Sequence, residues 1–306
     1  LLKKNYKILK FSNKKKFTFI DRVLFALYVK KNIEKKSIII SRSLISSIML
    51  SILNKKNIVE LHHPPTGLTK LIFNVYRFLR LDKNLGYIFL HKNLKKKLKI
   101  KKGLVLDDAV DYQDFKNIKK RNVNKFSYVG SLFKGKGIET ILKLALRFPD
   151  EKFHIYGDKK TLDKNLLFDK KFFRKNVIFH NFTSYQNVPK ILKSTKFLLL
   201  PYSNQVLVNS KSLEVSNYMS PLKMFDYLAA GRVILASNLK VYSHILKNDF
   251  NCYLTKRNKE KYWIQLVQKV LVKSNFKDLE KNAILTAKKY TWNNRVKKIL
   301  QYEGKL

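Results

Sequence analysis

One segment, Ser220–Ser237, carries the residue types that binding of a phosphate and a sugar requires. It predicts a loop, a short helix and a buried strand, with Pro221 in the first helical turn and Gly231 just past the helix end. The free N–H groups at such a helix start can hold a phosphate. Asp226 follows about one and a half turns later, where its carboxylate can reach sugar hydroxyls beside that phosphate. The segment therefore predicts a pocket for both groups.

A second candidate follows the first strand of the carboxyl-terminal half. Three glycines in Gly130–Thr140 let the backbone approach a phosphate closely, and Lys134 and Lys136 can neutralise its charge. The glycine spacing is not that of a P-loop. The alternative interpretation of either lysine is a solvated surface side chain, of which this chain has many. The segment predicts a second contact to phosphate.

The third candidate is Glu60–Pro65, at the end of a strand in the amino-terminal half. Adjacent His62 and His63 precede two prolines, which predicts an exposed and rigid elbow. An imidazole titrates near neutral pH, so it can position or protonate a phosphate leaving group. The alternative is a capping or surface histidine. No metal site is predicted, because the pair lacks the spacing of metal ligands.

Together these segments resemble the nucleotide-sugar glycosyltransferases of group 1, in the retaining, family 4-like branch with the GT-B fold. The run from Ser220 is similar to the family form Ser-Pro-Leu-Lys-Met-Phe-Glu-Tyr-Met-Ala. The resemblance is strongest over Phe126–Arg295 and moderate over Ser37–Pro65. It implies an α/β protein with two Rossmann-like, doubly wound domains that face each other across a cleft. It also implies transfer of a hexosyl unit from a nucleoside-diphosphate sugar to a hydroxyl acceptor.

The resemblance implies roles for individual residues of the carboxyl-terminal half. Asp226 matches the acid that binds the ribose. Lys136 matches a lysine that grips the donor diphosphate together with an arginine, and Ser131 stands at the arginine position. Lys134 or Lys223 is expected to supply the missing charge. The expected diphosphate-binding set is Ser131, Lys136, Pro221, Leu222 and Lys223.

Three further positions complete the implied site. His62 is expected to act in catalysis facing the transferred sugar, with His63 as the second candidate. Phe182 lies in the loop expected on the nucleobase side. Tyr218 stands where the family has the first acid of a pair, and Glu214 precedes it at the wrong spacing. This departure leaves open a degenerate, non-catalytic member of the fold.

The formal charge of +44 is attributed mainly to codon bias in an AT-rich genome, because Lys, Asn, Ile, Phe and Tyr are abundant while Gly and Pro are scarce. A positive surface would still favour anionic donors and phospholipid headgroups. A basic nucleic-acid-binding protein is an alternative hypothesis. The lysines are spread over the whole chain and no aromatic-basic recognition motif occurs, so we expect no specific nucleic acid as a partner. An epimerase on the same fold would need further acids. We expect a UDP-, GDP- or ADP-sugar donor, no other cofactor, and a surface glycan or lipid-linked acceptor.

The predicted compartment is the cytoplasm of a bacterium, with peripheral association with an anionic inner membrane.

The single cysteine, Cys252, excludes an internal disulfide and any Cys-based zinc site. No signal peptide is visible. Arg42 interrupts the apolar stretch Ser37–Leu53, which therefore predicts a strand and a buried helix rather than a membrane span. The expected role is polysaccharide biosynthesis.

Alternating strand and helix patterns predict parallel sheets in both halves. The expected domains are an acceptor-side domain over residues 1–122, a nucleotide-sugar-binding domain over 123–290, and a helix over 291–306 that crosses back to the first domain. The family's Gly-rich strand turn is not found, and the chain starts at Leu1 rather than Met. We therefore expect an incomplete amino-terminal domain.

Overall fold

The computed structural model describes residues 11, 19–34, 36–162, 174–207, 214–256 and 259–304. The chain divides into two compact units. The first contains the residues up to Leu106 together with those from Lys298 onward, and the second is Asp107–Lys297. The helix predicted over Leu162–Phe173 lies outside the described residues, except for Leu162 itself.

The first unit is built on a parallel sheet in the order β1-β2-β3-β4. The strands are β1 (Ile40–Ser41), β2 (Asn57–Leu61), β3 (Leu85–Phe89) and β4 (Leu104–Val105). The helices are α1 (Phe19–Asn32), α2 (Leu44–Ile52), α3 (Gly67–Phe78) and α4 (Lys92–Lys97). The alternation of strand and helix gives the parallel pairing that the sequence predicts.

Apolar spacing and capping explain the elements of the first unit. The Ser43 hydroxyl accepts a hydrogen bond from the Ser46 amide at 3.3 Å and so caps α2. Ile58 and Ile88 of adjacent strands pack in one cluster with Leu106 and Ile299. The predicted strand and buried helix within Ser37–Leu53 are confirmed as β1 and α2. Among the described residues, no helix combines the length and apolar character that crossing a membrane requires.

The second unit contains a six-stranded parallel sheet in the order β10-β9-β8-β5-β6-β7. Its strands are β5 (Asn124–Val129), β6 (Phe153–Tyr156), β7 (Val177–His180), β8 (Thr195–Leu200), β9 (Val233–Ala236) and β10 (Tyr253–Leu254). Its helices are α5 (Gln113–Lys116), α6 (Ile138–Arg147), α7 (Val188–Lys193), α8 (Leu222–Ala230), α9 (Glu260–Val272) and α10 (Lys277–Lys289), followed by α11 (Trp292–Glu303), which continues into the carboxyl-terminal residues of the first unit.

This strand order is that of a doubly wound Rossmann-like sheet. The chain runs outward from β5 to β7, returns to the other side of β5 as β8, and continues to β10. The direction therefore reverses between β5 and β8. Open α/β sheets bind ligands at the carboxyl ends of the strands beside such a reversal. The loops after β5 and β8 are thus the place where a ligand is expected.

Two apolar layers cover the faces of the second sheet. On one face the rings of Phe126, Phe153 and Phe197 stack across adjacent strands, with centroids 4.9 and 5.1 Å apart. On the other face Leu198 packs with Phe225 of α8. Burial of β9 on both faces explains its uninterrupted apolar sequence.

The boundary between the two units, after Leu106, lies earlier in the chain than the domain boundary predicted at residue 122. Val110 and Phe115 are buried in the core of the second unit, which accounts for the placement of residues 107–122 there. The sequence predicts a helix over Val241–Leu246, and this prediction was wrong. A 3₁₀ turn forms at Lys240–Tyr242 instead, because this short segment consists mostly of β-branched, aromatic and polar residues, which have low helix propensities.

Candidate active site

The loops after β5 and β8 meet at the reversal of strand order. Gly137 has a φ of +85°, and a Cβ at this position would lie only 1.8 Å from the Pro201 carbonyl oxygen. No other residue fits there without moving one of the two loops. This contact fixes the loop that carries Lys136 against the end of β8, where Tyr202 follows Pro201.

Lys223, in the first turn of α8, places its amine at the same point. Its Nζ lies 3.7 Å from the centroid of the Tyr128 ring and 5.5 Å from that of Tyr202. It also covers Gly130, where a Cβ would be 2.4 Å from Nζ and where φ is +141°. A glycine at position 130 is therefore the condition for this lysine to reach the end of β5.

The Lys223 amine is buried and makes no hydrogen bond within the described parts of the chain. Buried polar groups in proteins nearly always have a partner, so an unsatisfied one calls for an explanation. Contact with two aromatic faces offsets some of the charge but supplies no hydrogen-bond acceptor. An anionic ligand between the two loops would supply one.

Lys136 is the second amine beside Tyr202, with Nζ 5.0 Å from the ring centroid. Burial lowers the pKa of Lys136 from 10.5 to about 8. The pKa of Lys223 lies well below its ordinary value, first because of burial and second because of Lys136, while Asp226 opposes the shift. Among the described residues, the negative charge near the two amines is therefore too small to restore their ordinary pKa.

Asp226 follows Lys223 by three residues on α8. Tyr185 donates a hydrogen bond from its hydroxyl to Asp226 Oδ1 at 2.9 Å. Burial is the largest cause of the shift and raises the pKa of Asp226 to about 6. The Tyr185 hydrogen bond and the Lys223 charge oppose this shift, whereas Asp114 adds to it. The carboxylate thus stands beside the lysine pair, held by a neutral donor.

The start of α8 differs slightly from the sequence prediction. Pro221 is not in the first turn but precedes it, with an extended backbone, and the helix begins at Leu222. No side chain caps the first turn. Ser220 is fixed instead by the backbone before β5, because its hydroxyl accepts a hydrogen bond from the Asp108 amide at 2.8 Å. Gly231 ends the helix in the left-handed conformation, as predicted.

The structure distinguishes the two lysines proposed for the missing arginine. Lys134 is exposed, whereas the Lys223 amine lies buried over Gly130. Ser131 is exposed as well, and its carbonyl accepts a hydrogen bond from the Tyr128 hydroxyl at 2.6 Å. Of the two alternatives, Lys223 is therefore the cation at the end of β5.

The predicted nucleobase side contains an aromatic and histidine cluster. Tyr156 and His180 stack with centroids 4.0 Å apart. His154 Nδ1 lies 3.0 Å from His180 Nε2, and burial, then His180 and Lys152, lowers the pKa of His154 to about 4. Phe182 follows this cluster with 78% of its surface exposed. An exposed aromatic ring in a loop at the strand ends has the form of a stacking surface.

His62 and His63 belong to the first unit. Arg42 donates from Nη2 to His62 Nδ1 at 3.1 Å, and His62 Nε2 lies 2.7 Å from Glu60 Oε1. Because a guanidinium can only donate, Nδ1 is unprotonated and the proton is on Nε2, directed at Glu60. Both ring nitrogens of His62 are therefore occupied. His63 Nδ1 lies 2.9 Å from the Pro64 carbonyl oxygen.

Sequence reasoning missed Arg42, Tyr128 and Tyr185 as parts of these sites. In the sequence Arg42 only interrupts an apolar stretch, although it directly follows β1 at the same sheet edge as His62. The segment Leu200–Ser203 is a weaker sequence signal for the pocket, and its Tyr202 lies beside both amines. Tyr128 and Tyr185 gave no signal of their own. Glu214, the displaced acid, is exposed and accepts a hydrogen bond from the Ser216 hydroxyl at 3.2 Å.

A profile of the family described as glycosyl transferases, group 1, matches residues 110–290, more than half of the chain. A search of curated proteins finds no match to the sequence. The family match covers the β5–β10 sheet, where the lysine pair and Asp226 lie.

Solved structures confirm the predicted fold class. A glycosyltransferase from Rickettsia africae has a TM-score of 0.73 and 14% identity, over 97% of this chain and 83% of that one. HepE from Anabaena, in complex with UDP-glucose, has a TM-score of 0.71 and 11% identity, over 94% and 82%. Sucrose-phosphate synthase from Thermosynechococcus elongatus has a TM-score of 0.69 and 13% identity, over 92% and 77%. At these identities the likeness establishes the GT-B α/β fold.

Proposed function

This chain belongs to the group 1 glycosyl transferases, and we propose that it moves a hexosyl unit from a nucleoside-diphosphate sugar to a hydroxyl acceptor with retention of anomeric configuration. The proposed acceptor is a surface glycan or a lipid-linked saccharide, and the proposed place of action is the bacterial cytoplasm. The Anabaena neighbour was solved with UDP-glucose, which supports a nucleotide-sugar donor here.

The observation that carries this proposal is the buried amine of Lys223 beside Lys136, which has no hydrogen-bond partner among the described residues. A diphosphate placed between them would give each amine a charged acceptor in a site of low dielectric, where such hydrogen bonds are strong. The uncapped first turn of α8 would add backbone N–H groups to the same phosphate. In this arrangement the Leu222 amide donates to the phosphate, and Pro221 fixes the direction in which the backbone enters α8.

The two lysines would act on the leaving group. When the bond from the anomeric carbon to the diphosphate oxygen breaks, negative charge grows on the diphosphate. Cations already in place stabilise that charge without reorganisation, which is commonly the largest single contribution to catalysis. Ser131 stands where the family has an arginine, so we assign the second positive charge to Lys223.

Asp226 is proposed to bind the ribose hydroxyls. Its carboxylate accepts a hydrogen bond from the Tyr185 hydroxyl, and a ribose hydroxyl can replace this neutral donor with one of the same kind. Phe182 is proposed to contact the nucleobase, because its ring is exposed beside the end of β7. These assignments leave the choice among uracil, guanine and adenine to measurement.

His62 is proposed to position the sugar rather than to deliver a proton. Arg42 and Glu60 hold the ring at both nitrogens, so proton transfer from His62 would require one of these contacts to break. A fixed ring suits orientation of a substrate. His63 remains the second candidate in this loop.

Calorimetry on the protein with UDP, GDP, ADP and the three parent nucleosides tests the proposal. We expect one diphosphate to bind at least about a hundredfold more tightly than its nucleoside, because two charge-assisted contacts are lost with the phosphates. Hydrolysis or transfer assays with the matching sugar nucleotides then separate an active enzyme from a degenerate one. Equal affinity for nucleoside and diphosphate would reject the assignment of the lysine pair.

A further inference from the structure

A side chain from the loop after β7 contacts α8. Tyr185 begins a 3₁₀ turn, Tyr185–Asn187, that leads directly into α7. Its hydroxyl donates a hydrogen bond to Asp226 Oδ1 at 2.9 Å, although 49% of the Tyr185 surface is exposed. An exposed phenol on a loop therefore holds a half-buried carboxylate on a helix.

The turn that carries Tyr185 has hydrogen bonds of its own. The Asn187 amide donates to the Ser184 carbonyl at 3.0 Å, and the Asn187 side-chain amide donates to the Ser184 hydroxyl at 3.3 Å. These contacts join neighbours within the loop and do not involve α8. The Tyr185 hydroxyl can therefore leave Asp226 while the turn keeps its shape.

The Tyr185 hydroxyl acts only as a donor to the acids around it. Burial, and then the charge of Asp226, raises the pKa of Tyr185 far above its ordinary value, so the hydroxyl keeps its proton. Asp111 and Asp114 are close enough to add to this shift. A hydroxyl that leaves Asp226 therefore stays among acidic side chains, which lowers the cost of displacing it.

We propose that Tyr185 makes the site selective for ribose, because its hydroxyl holds Asp226 until two adjacent sugar hydroxyls displace it. This inference rests on the proposed function, in which Asp226 binds the ribose of the donor. The tyrosine offers the carboxylate one O–H, whereas the 2′- and 3′-hydroxyls of ribose offer two. Ribose therefore gains one additional hydrogen bond to a charged acceptor, and a sugar without these hydroxyls leaves the tyrosine in place.

Calorimetry at pH 8 with UDP, GDP and ADP and with their 2′,3′-dideoxy counterparts tests the proposal. We expect the wild type to bind its preferred ribonucleotide about tenfold more tightly than the dideoxy form, the effect of one hydrogen bond to a charged group. Tyr185→Phe removes only the competing oxygen. It should bind the ribonucleotide about threefold to tenfold more tightly than the wild type and the dideoxy form equally well.

Two control variants separate this effect from a general change of the pocket. Tyr262→Phe removes a hydroxyl on α9 and should leave both affinities unchanged. In the Asp226→Ala background, Tyr185→Phe should have no effect, because the acceptor for which the two donors compete is absent. A gain of equal size in that background would overturn the proposal.

The choice of pH 8 keeps Asp226 ionised. Burial raises its pKa to about 6, Asp114 adds to the shift, and the Tyr185 hydrogen bond and Lys223 oppose it. Loss of the tyrosine hydroxyl should raise this pKa further, so the gain in Tyr185→Phe should shrink from pH 8 to pH 6 as the carboxylate is protonated. Lys136 also titrates near pH 8, but its proposed contact is with the diphosphate, which both nucleotides share, so the ratio of their affinities is unaffected.

The remaining outcomes distinguish this inference from the proposed function. Weaker ribonucleotide binding by Tyr185→Phe would mean that the tyrosine supports the carboxylate beside the ribose rather than yielding to it, and would overturn the inference. Binding that depends on Lys223 and not on Tyr185 would reject the inference and leave the proposed function standing. Absence of nucleoside-diphosphate binding by the wild type would overturn both.

Discussion

The charged side chains at the carboxyl edges of the two sheets differ in whether their hydrogen bonds are satisfied. In the first unit, His62 lies between Arg42 and Glu60, and each nitrogen of its ring has a partner. In the second unit, the Lys223 amine is buried without a hydrogen bond within the described residues. This difference indicates which edge would bind an anion more tightly. A side chain whose hydrogen bonds are satisfied is held in position, whereas an unsatisfied buried cation gains a large binding free energy from an anion.

The largest effect is expected when the unsatisfied cation, Lys223, is removed. Lys223→Met keeps the length and apolar stem of the side chain but removes its charge. We expect kcat/KM for the sugar nucleotide to fall by about a hundredfold to a thousandfold, the usual loss when one preorganised charge stabiliser is deleted. Steady-state kinetics with the donor identified by calorimetry measure the effect.

Lys134→Met is the matched control for this prediction. Lys134 is exposed in the loop after β5, so its loss changes the net charge equally without touching the ring of Tyr128 or Tyr202. We expect less than a twofold change. Equal losses in the two variants would mean that general attraction by the basic surface, rather than the buried amine, binds the diphosphate.

The next largest effect concerns the acid beside the lysine pair. Asp226→Ala removes the proposed ribose contact, and affinity for the nucleoside diphosphate should fall about tenfold to a hundredfold, the loss expected for hydrogen bonds to a charged group. Glu214→Ala removes an exposed acid and serves as the control. If calorimetry gives wild-type affinity for Asp226→Ala, Asp226 does not bind the ribose.

A change of pH tests the lysine pair without a mutation. The pKa of Lys136 is about 8, chiefly because of burial, and a bound diphosphate would raise it. Binding therefore takes up a proton above pH 8, and affinity should fall about tenfold between pH 7 and pH 9. Of the groups beside this amine, Lys223 also has a lowered pKa and adds to the uptake, whereas burial raises the pKa of Tyr202 far above this pH range.

Calorimetry in buffers of different ionisation enthalpy counts the protons taken up on binding. Lys136→Met should remove part of the uptake, while the parent nucleoside should bind with the same affinity at both pH values. A diphosphate affinity that does not change between pH 7 and pH 9 would contradict the account of the lysine pair.

The smallest effect is expected for His62 in the first unit, whose two ring nitrogens already have partners. His62→Ala should lower kcat a few-fold and leave the affinity for the nucleoside diphosphate unchanged, because the proposed role is positioning of the sugar. Arg42→Gln should give a similar result by freeing His62 Nδ1. A larger loss in His63→Ala than in His62→Ala would reverse the assignment within this loop.

The sequence predicted the second sheet well because each of its strands is a short apolar run followed by a glycine, proline or polar turn. The apolar pattern predicts a strand over Val177–His180 and a helix over Ile138–Arg147, and the structure has both elements with these bounds. Helix α3 was missed, because its exposed apolar row and its two buried aromatic residues lie on different faces and blur the helical periodicity. The helix at Val241 was overpredicted, because an apolar pattern does not reflect the low helix propensity of the β-branched, aromatic and polar residues in that segment.

The candidate site was predictable in outline only. Lys136, Lys223 and Asp226 were identifiable from their segments, but the sequence could not choose between Lys134 and Lys223. That choice depends on which amine reaches Gly130, and this in turn depends on packing between α8 and the end of β5. The hydrogen bond from Tyr185 to Asp226 joins residues 41 positions apart, so it follows from the fold alone.

The most direct measurement is a structure of this chain with UDP, or with whichever nucleoside diphosphate binds most tightly. We predict diphosphate oxygens within about 3 Å of Nζ of both Lys136 and Lys223, and a ribose hydroxyl on Asp226 in place of the Tyr185 contact. A nucleotide bound elsewhere, with no phosphate oxygen near the Lys223 amine over the Tyr128 ring, would disprove the assignment of the lysine pair.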